Sequence, residues 1–197
     1  GGWNDGYTNA VLRMHDRCTH APRKALIGNW VHAMPDYAYP GPPVDWLHEL
    51  VRFFDCWLKG IDNGIMDEPR FTYFEREYTP PTPFPPMQNG VWRGLPDYRA
   101  TTDAVPGSAS GSAMFYLHGA SATSPGSARL QPDPPTAPTV SYYANVPTWG
   151  TQGGLCFGAG MGPNGLARDL RPDEATALTF TSPPLTAPLA VLGCPTV

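Results

Sequence analysis

Apolar side chains recur at helical spacing in the segment from Asp45 to Lys59. Asp45 follows two prolines and is a favourable N-cap residue, and Gly60 stands where a glycine commonly ends a helix. Asp55 and Lys59 are four residues apart and can form an ion pair on the helix surface. The pattern therefore predicts a helix over 45–59 with one wide apolar stripe, formed by Leu47, Leu50, Val51, Phe53, Phe54, Trp57 and Leu58.

Three further segments in the first 78 residues have regular patterns. Residues 7–17 place apolar side chains on one face of a predicted helix. Residues 24–28 form a short apolar run that ends in glycine, which is typical of a buried strand. Residues 70–78 are rich in aromatic and β-favouring residues and predict another strand. Helix, strand, loop, helix and strand thus alternate, which indicates a parallel α/β sheet.

The second half of the chain has a different pattern. A proline-rich stretch follows Tyr78, and short apolar runs then alternate with turn residues, which predicts an antiparallel β-sandwich. The sequence therefore predicts two parts, an α/β part over 1–98 and a β-sandwich over 99–197. The last apolar run is followed by no closing element, so the sandwich is expected to be incomplete. The predicted strands lie at 113–117, 140–144, 154–157, 177–181 and 189–192.

Charge and composition exclude some partners. The net charge is −4 and only 15% of the residues are charged, so there is no electrostatic footprint for nucleic acid. No apolar run approaches the roughly 18–20 residues that a membrane span needs. The four cysteines are far apart, which leaves open both free thiols and disulfides. Because the chain starts without Met or a leader, we expect it to be part of a longer protein, and its compartment stays open.

An acid and a histidine stand at two positions where catalytic groups are common. Asp5 precedes the first predicted helix, and His32 lies in the loop after the predicted strand 24–28. Functional groups of open α/β sheets lie at the carboxyl ends of the strands, so these two side chains are expected to meet. In a hydrolytic triad the histidine accepts a proton from the nucleophile and the carboxylate orients the ring. We therefore predict His32 as general base and Asp5 as orienting acid.

The sequence contains no nucleophile for this pair. The segments 107–111 and 119–123 contain serine and glycine, but neither fits G-x-S-x-G or a strand-to-helix turn. In α/β-hydrolases the serine precedes the acid and the histidine, so it is expected upstream of this chain. The isolated chain is then expected to be inactive. Taken alone, Asp5 and His32 also permit purely structural roles such as capping.

Several motifs in this order resemble the cocaine esterase / Xaa-Pro dipeptidyl-peptidase family. Gly2–Tyr7 and Ile27–His32 resemble its acid and base motifs, roughly G-W-x-D and G-P-W-x-H. The segments 53–60, 92–96 and 180–193 resemble its helix, its link to a second domain and its sandwich strands. The chain departs from the family at Asn29, which replaces the usual proline, and near Leu178, where the usual acidic residue is absent.

The resemblance implies a fold and a reaction. Residues 1–98 would be the C-terminal portion of an α/β-hydrolase core, and 99–197 the N-terminal portion of a jelly-roll, galactose-binding-like β-sandwich. The activity would be serine-dependent hydrolysis of a small ester or a prolyl peptide, with no cofactor and no metal. Tyr7 would lie beside the acyl pocket, and Phe157 could reach it from the sandwich. A homo-oligomer remains possible.

Other functions are compatible with parts of the sequence. A non-catalytic β-sandwich binding module could use an aromatic platform of Tyr142, Tyr143 and Trp149, and an inactive fragment is also possible. The cluster of His15, Asp16, Cys18 and His20 matches no standard zinc spacing. The helix over 45–59 is expected to lack its main packing partner in this chain, which would make the isolated chain marginally stable.

Overall fold

The computed structural model describes residues 1–98, 115–119, 128–138, 140–141, 144, 146–154 and 165–193. The chain forms small sheets and short helices of a mixed α/β type. In chain order the elements are α1 (Thr8–Arg17), β1 (Ala25–Ile27), a 3-10 helix (Pro35–Tyr37), α2 (Trp46–Lys59), β2 (Phe71–Arg76), β3 (Gly90–Leu95), β4 (Tyr116–His118), β5 (Arg129–Gln131) and α3 (Arg171–Glu174).

The larger sheet is mixed, with β2 at its centre. β1 pairs in parallel with β2, with Ala25 opposite Phe71. β3 pairs with the other edge of β2 in the antiparallel direction, with Leu95 opposite Phe71. On the outer edge of β1, Gly2 forms a parallel bridge to Gly28. The chain start and β1 therefore run side by side and end at the same edge of the sheet.

The hydrophobic core lies where α1 covers this sheet. Alternate residues of β1 and β2 point to one face, because successive side chains of a strand point to opposite faces. Burial of each large apolar side chain contributes about 1.5–3 kcal/mol, so this cluster is the main stabilising feature of the first 98 residues. Its buried members are Leu12, Ala25, Ile27, Phe71, Tyr73 and Leu95, with Trp3, Val11, Tyr98 and Leu192 packed around them.

Helix α2 is capped at both ends, but its apolar stripe is exposed to solvent. The Asp45 side chain accepts a hydrogen bond from the backbone N–H of His48 at 3.1 Å. Gly60 ends the helix at φ 69°, a left-handed conformation that glycine adopts without steric cost. Arg52 and Lys24 both contact Glu68, which ties the helix to β1. None of the residues of α2 is buried, and its apolar stripe is exposed at Leu47, Leu50, Val51, Phe54, Trp57 and Leu58.

The helices and strands predicted for the first half are confirmed, although both strands are shorter than predicted and the sheet is mixed because β3 is antiparallel to β2. Both predicted helices are present, as is a strand at each predicted position. Strand β3 was not predicted, because Gly90 and Gly94 give it little intrinsic preference for a strand and only Leu95 of its residues is buried. No helix in the described parts of the chain combines the length and apolar character needed to cross a membrane.

The strands predicted for the second half are found only in part. The described residues there contain one two-stranded antiparallel sheet, β4 with β5, and no closed sandwich. The predicted strand at 113–117 is shifted to β4, and β5 was not predicted. The described residues of 177–181 and 189–192 form no strand, apart from a single bridge at Thr181. Prolines 183, 184 and 188 cannot donate ladder hydrogen bonds, and Leu189 and Val191 are exposed.

Two predicted strands fall partly outside the described residues. Of 140–144, the described residues 140, 141 and 144 are not in a strand, and of 154–157 only Gly154 is described, also outside a strand. Tyr142 and Tyr143 of the suggested aromatic platform also lie outside the described residues. The third member, Trp149, is exposed.

Candidate functional site

The site begins where the two parallel segments at the sheet edge end. The Trp3 N–H donates to the Gly28 carbonyl at 2.9 Å, and the Asn4 N–H donates to the Trp30 carbonyl at 3.2 Å. Beyond these bonds one segment turns into α1 and the other into the loop that carries His32. Any Cβ on Gly28 would fall 2.0 Å from the buried Trp30 ring, so glycine is required for this close approach.

Asp5 and His32 meet between the two segment ends. Nδ1 of His32 lies 3.2 Å from Oδ2 of Asp5. The other carboxylate oxygen of Asp5 accepts the backbone N–H of Tyr7 at 3.0 Å. The Asp5 side chain is 12% exposed and the His32 side chain 48% exposed. The carboxylate is thus shielded from water, whereas the imidazole is open to a reactant.

This geometry defines the protonation chemistry that the pair can perform. A carboxylate can only accept hydrogen bonds, so its contact with Nδ1 favours the imidazole tautomer in which Nδ1 carries the proton. Nε2 then keeps a free lone pair and can accept a proton from a third group. Asp5 also has a structural role, because its backbone carbonyl accepts hydrogen bonds from the N–H and hydroxyl of Thr8 at the start of α1.

Two residues of the site were missed by the sequence analysis. The Asn4 side-chain amide donates to the Asn29 carbonyl, and its oxygen accepts a hydrogen bond from Nη1 of Arg76 at 3.2 Å. Burial lowers the pKa of Arg76, the last residue of β2. Asn4 occupies the variable position of the acid motif and Arg76 is 72 residues away. No local signal in the sequence marked either residue.

The other predicted site residues have different outcomes. Tyr7 is exposed, and its ring centroid lies 5.4 Å from that of His32. Phe157 lies outside the described residues. Trp30 is buried and packs against Trp92 with ring centroids 6.1 Å apart, so it supports the loop from below. The structure therefore brings Asp5, His32 and Tyr7 together at one edge of the sheet.

A cavity of about 360 Å³ adjoins the acid. Its wall combines Asn4, Asp5 and Arg76 with the proline-rich segment that follows β2. Gly153 and Leu166 complete the wall, and the Leu166 N–H donates to the Pro83 carbonyl at 2.8 Å. The second half of the chain thus reaches the neighbourhood of Asp5.

The histidine and cysteine cluster near the end of α1 does not converge. His15 is buried with its ring centroid 5.3 Å from that of Phe71, whereas Cys18 and His20 are exposed. Among the residues that the structure describes, no three His, Cys, Asp or Glu side chains are placed to hold a metal ion.

Comparison with known proteins defines the class. Residues 63–197 match the model of the X-Pro dipeptidyl-peptidase C-terminal non-catalytic domain, which covers more than half of the chain. The chain therefore belongs to the X-Pro dipeptidyl-peptidase family, as its motifs predicted. The matched part is of a domain type described as non-catalytic.

Two curated relatives make the family relationship more specific. The chain is 26% identical over 210 residues to proteins named "Putative serine esterase" from Mycobacterium bovis and Mycobacterium tuberculosis. The similarity covers 98% of this chain but 28% of each relative, so the chain spans little more than a quarter of their length. No solved structure gives a significant match to the chain.

The candidate acid and base lie outside the range that matches the family model. Asp5 and His32 both precede residue 63, so the non-catalytic description does not extend to them. The larger sheet crosses this limit, because β1 lies before it and β2 and β3 lie after it. Arg76, which contacts Asn4 beside the acid, comes from the matched range.

Proposed function

We propose that this chain supplies the acid and the base of a serine hydrolase. The observation that carries the proposal is the contact of 3.2 Å between Nδ1 of His32 and the shielded carboxylate of Asp5. The family and the names of the curated relatives support the same reaction class. The nucleophilic serine would come from polypeptide outside these 197 residues, since the sequence has no G-x-S-x-G motif.

In the proposed reaction His32 first accepts a proton from the serine and then donates it to the leaving group. The serine hydroxyl gives its proton to Nε2 while its oxygen bonds to the substrate carbonyl carbon, whose π electrons move to the carbonyl oxygen. The tetrahedral intermediate then collapses, the bond to the leaving group breaks, and the leaving group takes the proton from His32. Water repeats the cycle on the acyl-enzyme and releases the acid. Asp5 stabilises the imidazolium during both steps.

The domain arrangement is part of the proposal. Residues 1–98 would form the C-terminal portion of an α/β-hydrolase core, since two parallel segments present the acid and the base at one sheet edge. Residues 99–197 would form the N-terminal portion of a jelly-roll sandwich that covers this core. The position of Gly153 and Leu166 in the wall of the cavity beside Asp5 supports such a cover.

The proposed substrates are small esters or prolyl peptides. Tyr7 would line the acyl pocket, which fits its exposed ring beside His32. Phe157 would contribute from the second domain. Replacement of either residue is expected to change KM more than kcat, because such residues bind the substrate without entering the chemistry.

The test uses the polypeptide that contains this chain together with its serine-bearing segment. His32→Ala is expected to lower kcat for p-nitrophenyl acetate by about 10³-fold or more, and Asp5→Asn by a comparable factor, with the melting temperature little changed. The matched control is His48→Ala, which removes an exposed histidine from α2 and is expected to leave kcat unchanged.

A fluorophosphonate probe separates this proposal from others. The probe should label a serine of the parent polypeptide, and His32→Ala should suppress the labelling, because an unactivated serine reacts slowly. The 197-residue chain alone should remain unlabelled. Full activity of the His32→Ala variant would exclude His32 as the base.

The description of the matched domain favours a second candidate function for residues 63–197. This part could bind a ligand or cover the core without taking part in catalysis. If so, Trp149→Ala would weaken binding of an oligosaccharide or peptide probe and leave the hydrolysis of p-nitrophenyl acetate unaffected.

A further inference from the structure

The contact between Asp5 and His32 joins two segments that belong to different secondary-structure elements. Asp5 belongs to the turn that leads into α1, and His32 belongs to the loop after β1. The His32 side chain is half exposed, so packing alone does not hold its ring against the carboxylate. A rigid pair requires that the backbones of the two segments be joined close to these residues.

Asn4 makes that connection with three of its polar groups. Its backbone N–H donates to the Trp30 carbonyl at 3.2 Å. Its side-chain N–H donates to the Asn29 carbonyl, and its side-chain oxygen accepts from Arg76. One residue next to the acid thus binds two consecutive carbonyls of the loop that presents the base.

Arg76 determines which way the Asn4 amide points. A guanidinium can only donate hydrogen bonds and a carbonyl oxygen can only accept them. The amide oxygen must therefore face Arg76 and the amide nitrogen must face Asn29, since the reverse orientation would lose both bonds. Arg76 stands at the end of the central strand β2 and forms no ion pair with any described acidic side chain, so Asn4 Oδ1 is its hydrogen-bond acceptor.

We propose that Asn4 is a positioning residue that locks the acid turn onto the histidine loop, and that Arg76 orients the Asn4 amide for this purpose. The proposal rests on the proposed function of Asp5 and His32. In this proposal Asn4 and Arg76 act through the relative position of Asp5 and His32 and take no part in the proton transfer.

The first test measures the imidazole tautomer in the 197-residue chain labelled with ¹⁵N-histidine. At a pH where the His32 ring is neutral, the unaltered chain is expected to hold the proton on Nδ1, where Asp5 accepts it. Asn4→Ala should shift the population toward the Nε2-protonated form, because the ring then moves away from the carboxylate. This measurement needs no nucleophile and does not respond to a general loss of stability.

The matched control is Asn63→Ala. The Asn63 side chain likewise donates to a distant backbone carbonyl, that of Arg52 at 2.8 Å, but it lies away from the site. Asn63→Ala is expected to lower the melting temperature about as much as Asn4→Ala and to leave the His32 tautomer unchanged. Comparison of the two variants separates positioning from stability.

The second test measures kinetics in the serine-containing polypeptide. Asn4→Ala and Arg76→Ala are each expected to lower kcat about tenfold or more with KM within about twofold, because small displacements of catalytic groups are costly. Arg76→Lys keeps a cationic donor and should recover part of the loss. Asn4→Asp should behave like Asn4→Ala, since its carboxylate would repel the Asn29 carbonyl.

The outcomes distinguish failure of the inference from failure of the proposed function. An unaltered chain without the Nδ1-protonated tautomer would contradict the Asp5–His32 pairing itself. An unaltered chain with that tautomer, together with an Asn4→Ala variant of unchanged tautomer and kcat, would overturn the positioning role alone.

Discussion

His15 is a buried histidine with no hydrogen-bond partner for either ring nitrogen among the described residues. Its ring packs on Phe71, and Asp97 lies 3.9 Å from Nδ1. Burial lowers the pKa of His15, an effect that Arg23 reinforces and that Asp97, the nearby backbone of Arg70 and Asp16 oppose. The neutral imidazole is therefore the form that the folded chain accommodates.

This environment predicts a stability loss at mildly acidic pH. The unfolded chain binds a proton at His15 near pH 6.5, whereas the folded chain resists protonation until lower pH. The free energy of unfolding should therefore fall as the pH drops from about 6.5 to the lowered pKa, with a slope of at most about 1.4 kcal/mol per pH unit from this group. Urea denaturation at a series of pH values measures the effect.

The matched variant for this prediction is His15→Phe, which keeps an aromatic ring against Phe71 but cannot titrate. Its unfolding free energy should fall less steeply below pH 6.5 than that of the unaltered chain. His20→Phe, at an exposed position, should retain the original pH dependence. Identical pH profiles for the unaltered chain and His15→Phe would contradict the prediction.

Asn29 is another buried polar residue whose side chain lacks hydrogen-bond partners among the described residues. It is 1% exposed, and neither Oδ1 nor Nδ2 has a hydrogen-bond partner among the described residues. An unpaired buried amide costs about 1–3 kcal/mol. Asn29→Leu has similar volume and keeps the backbone carbonyl that Asn4 binds, so it should leave the unfolding free energy unchanged or raise it by about 1 kcal/mol.

The contrast for Asn29→Leu is the same substitution at Asn63, whose amide makes two hydrogen bonds. Asn63→Leu should lower the unfolding free energy by about 1–2 kcal/mol. A larger loss at position 29 than at position 63 would mean that the Asn29 amide is paired in the folded protein.

At the scale of elements, α2 depends on its local end signals more than on packing, since none of its residues is buried. Asp45→Ala removes the side-chain acceptor for the His48 N–H and should lower the unfolding free energy by about 1 kcal/mol. Asp62→Ala, which removes an exposed aspartate beyond the helix, should have an effect below about 0.5 kcal/mol. Hydrogen exchange of the first turn of α2 should increase only in Asp45→Ala.

At the scale of the whole molecule, the exposed stripe of α2 is a surface that favours association. Contiguous exposed apolar surface of this kind commonly marks an interaction site. The 197-residue chain is therefore expected to self-associate as its concentration rises. The double variant Phe54→Glu/Leu58→Lys keeps the net charge and adds a favourable i,i+4 pair, so it should remain monomeric in sedimentation velocity.

A second double variant controls for the added charges. Leu189→Lys/Val191→Glu introduces the same two charged residues at exposed positions in the second half of the chain, where Val191 is 83% exposed. This variant should associate like the unaltered chain. Monomeric behaviour of the unaltered chain at all concentrations would show that the α2 stripe does not drive association.

Local patterns alone predicted the elements that depend on neighbouring residues. Helix α2 follows from its periodic apolar residues, the cap at Asp45 and the glycine at position 60, since each of these acts within a few residues of chain. The sequence also placed Asp5 just before the first predicted helix and His32 in the loop after the predicted strand 24–28, where catalytic groups are common. That these two side chains touch required the backbone pairing of Gly2 with Gly28, which the structure supplies.

Only the tertiary structure decided the features that depend on residues far apart in the chain. β3 exists because β2 offers it a hydrogen-bonding edge, although its own glycines disfavour a strand. The link from Arg76 to Asn4 spans 72 residues and follows from where β2 ends. Conversely, the apolar run 189–192 suggested a strand, yet it gained no pairing partner among the described residues. Hydrogen bonds between distant segments depend on the relative placement of whole elements, which no local pattern encodes.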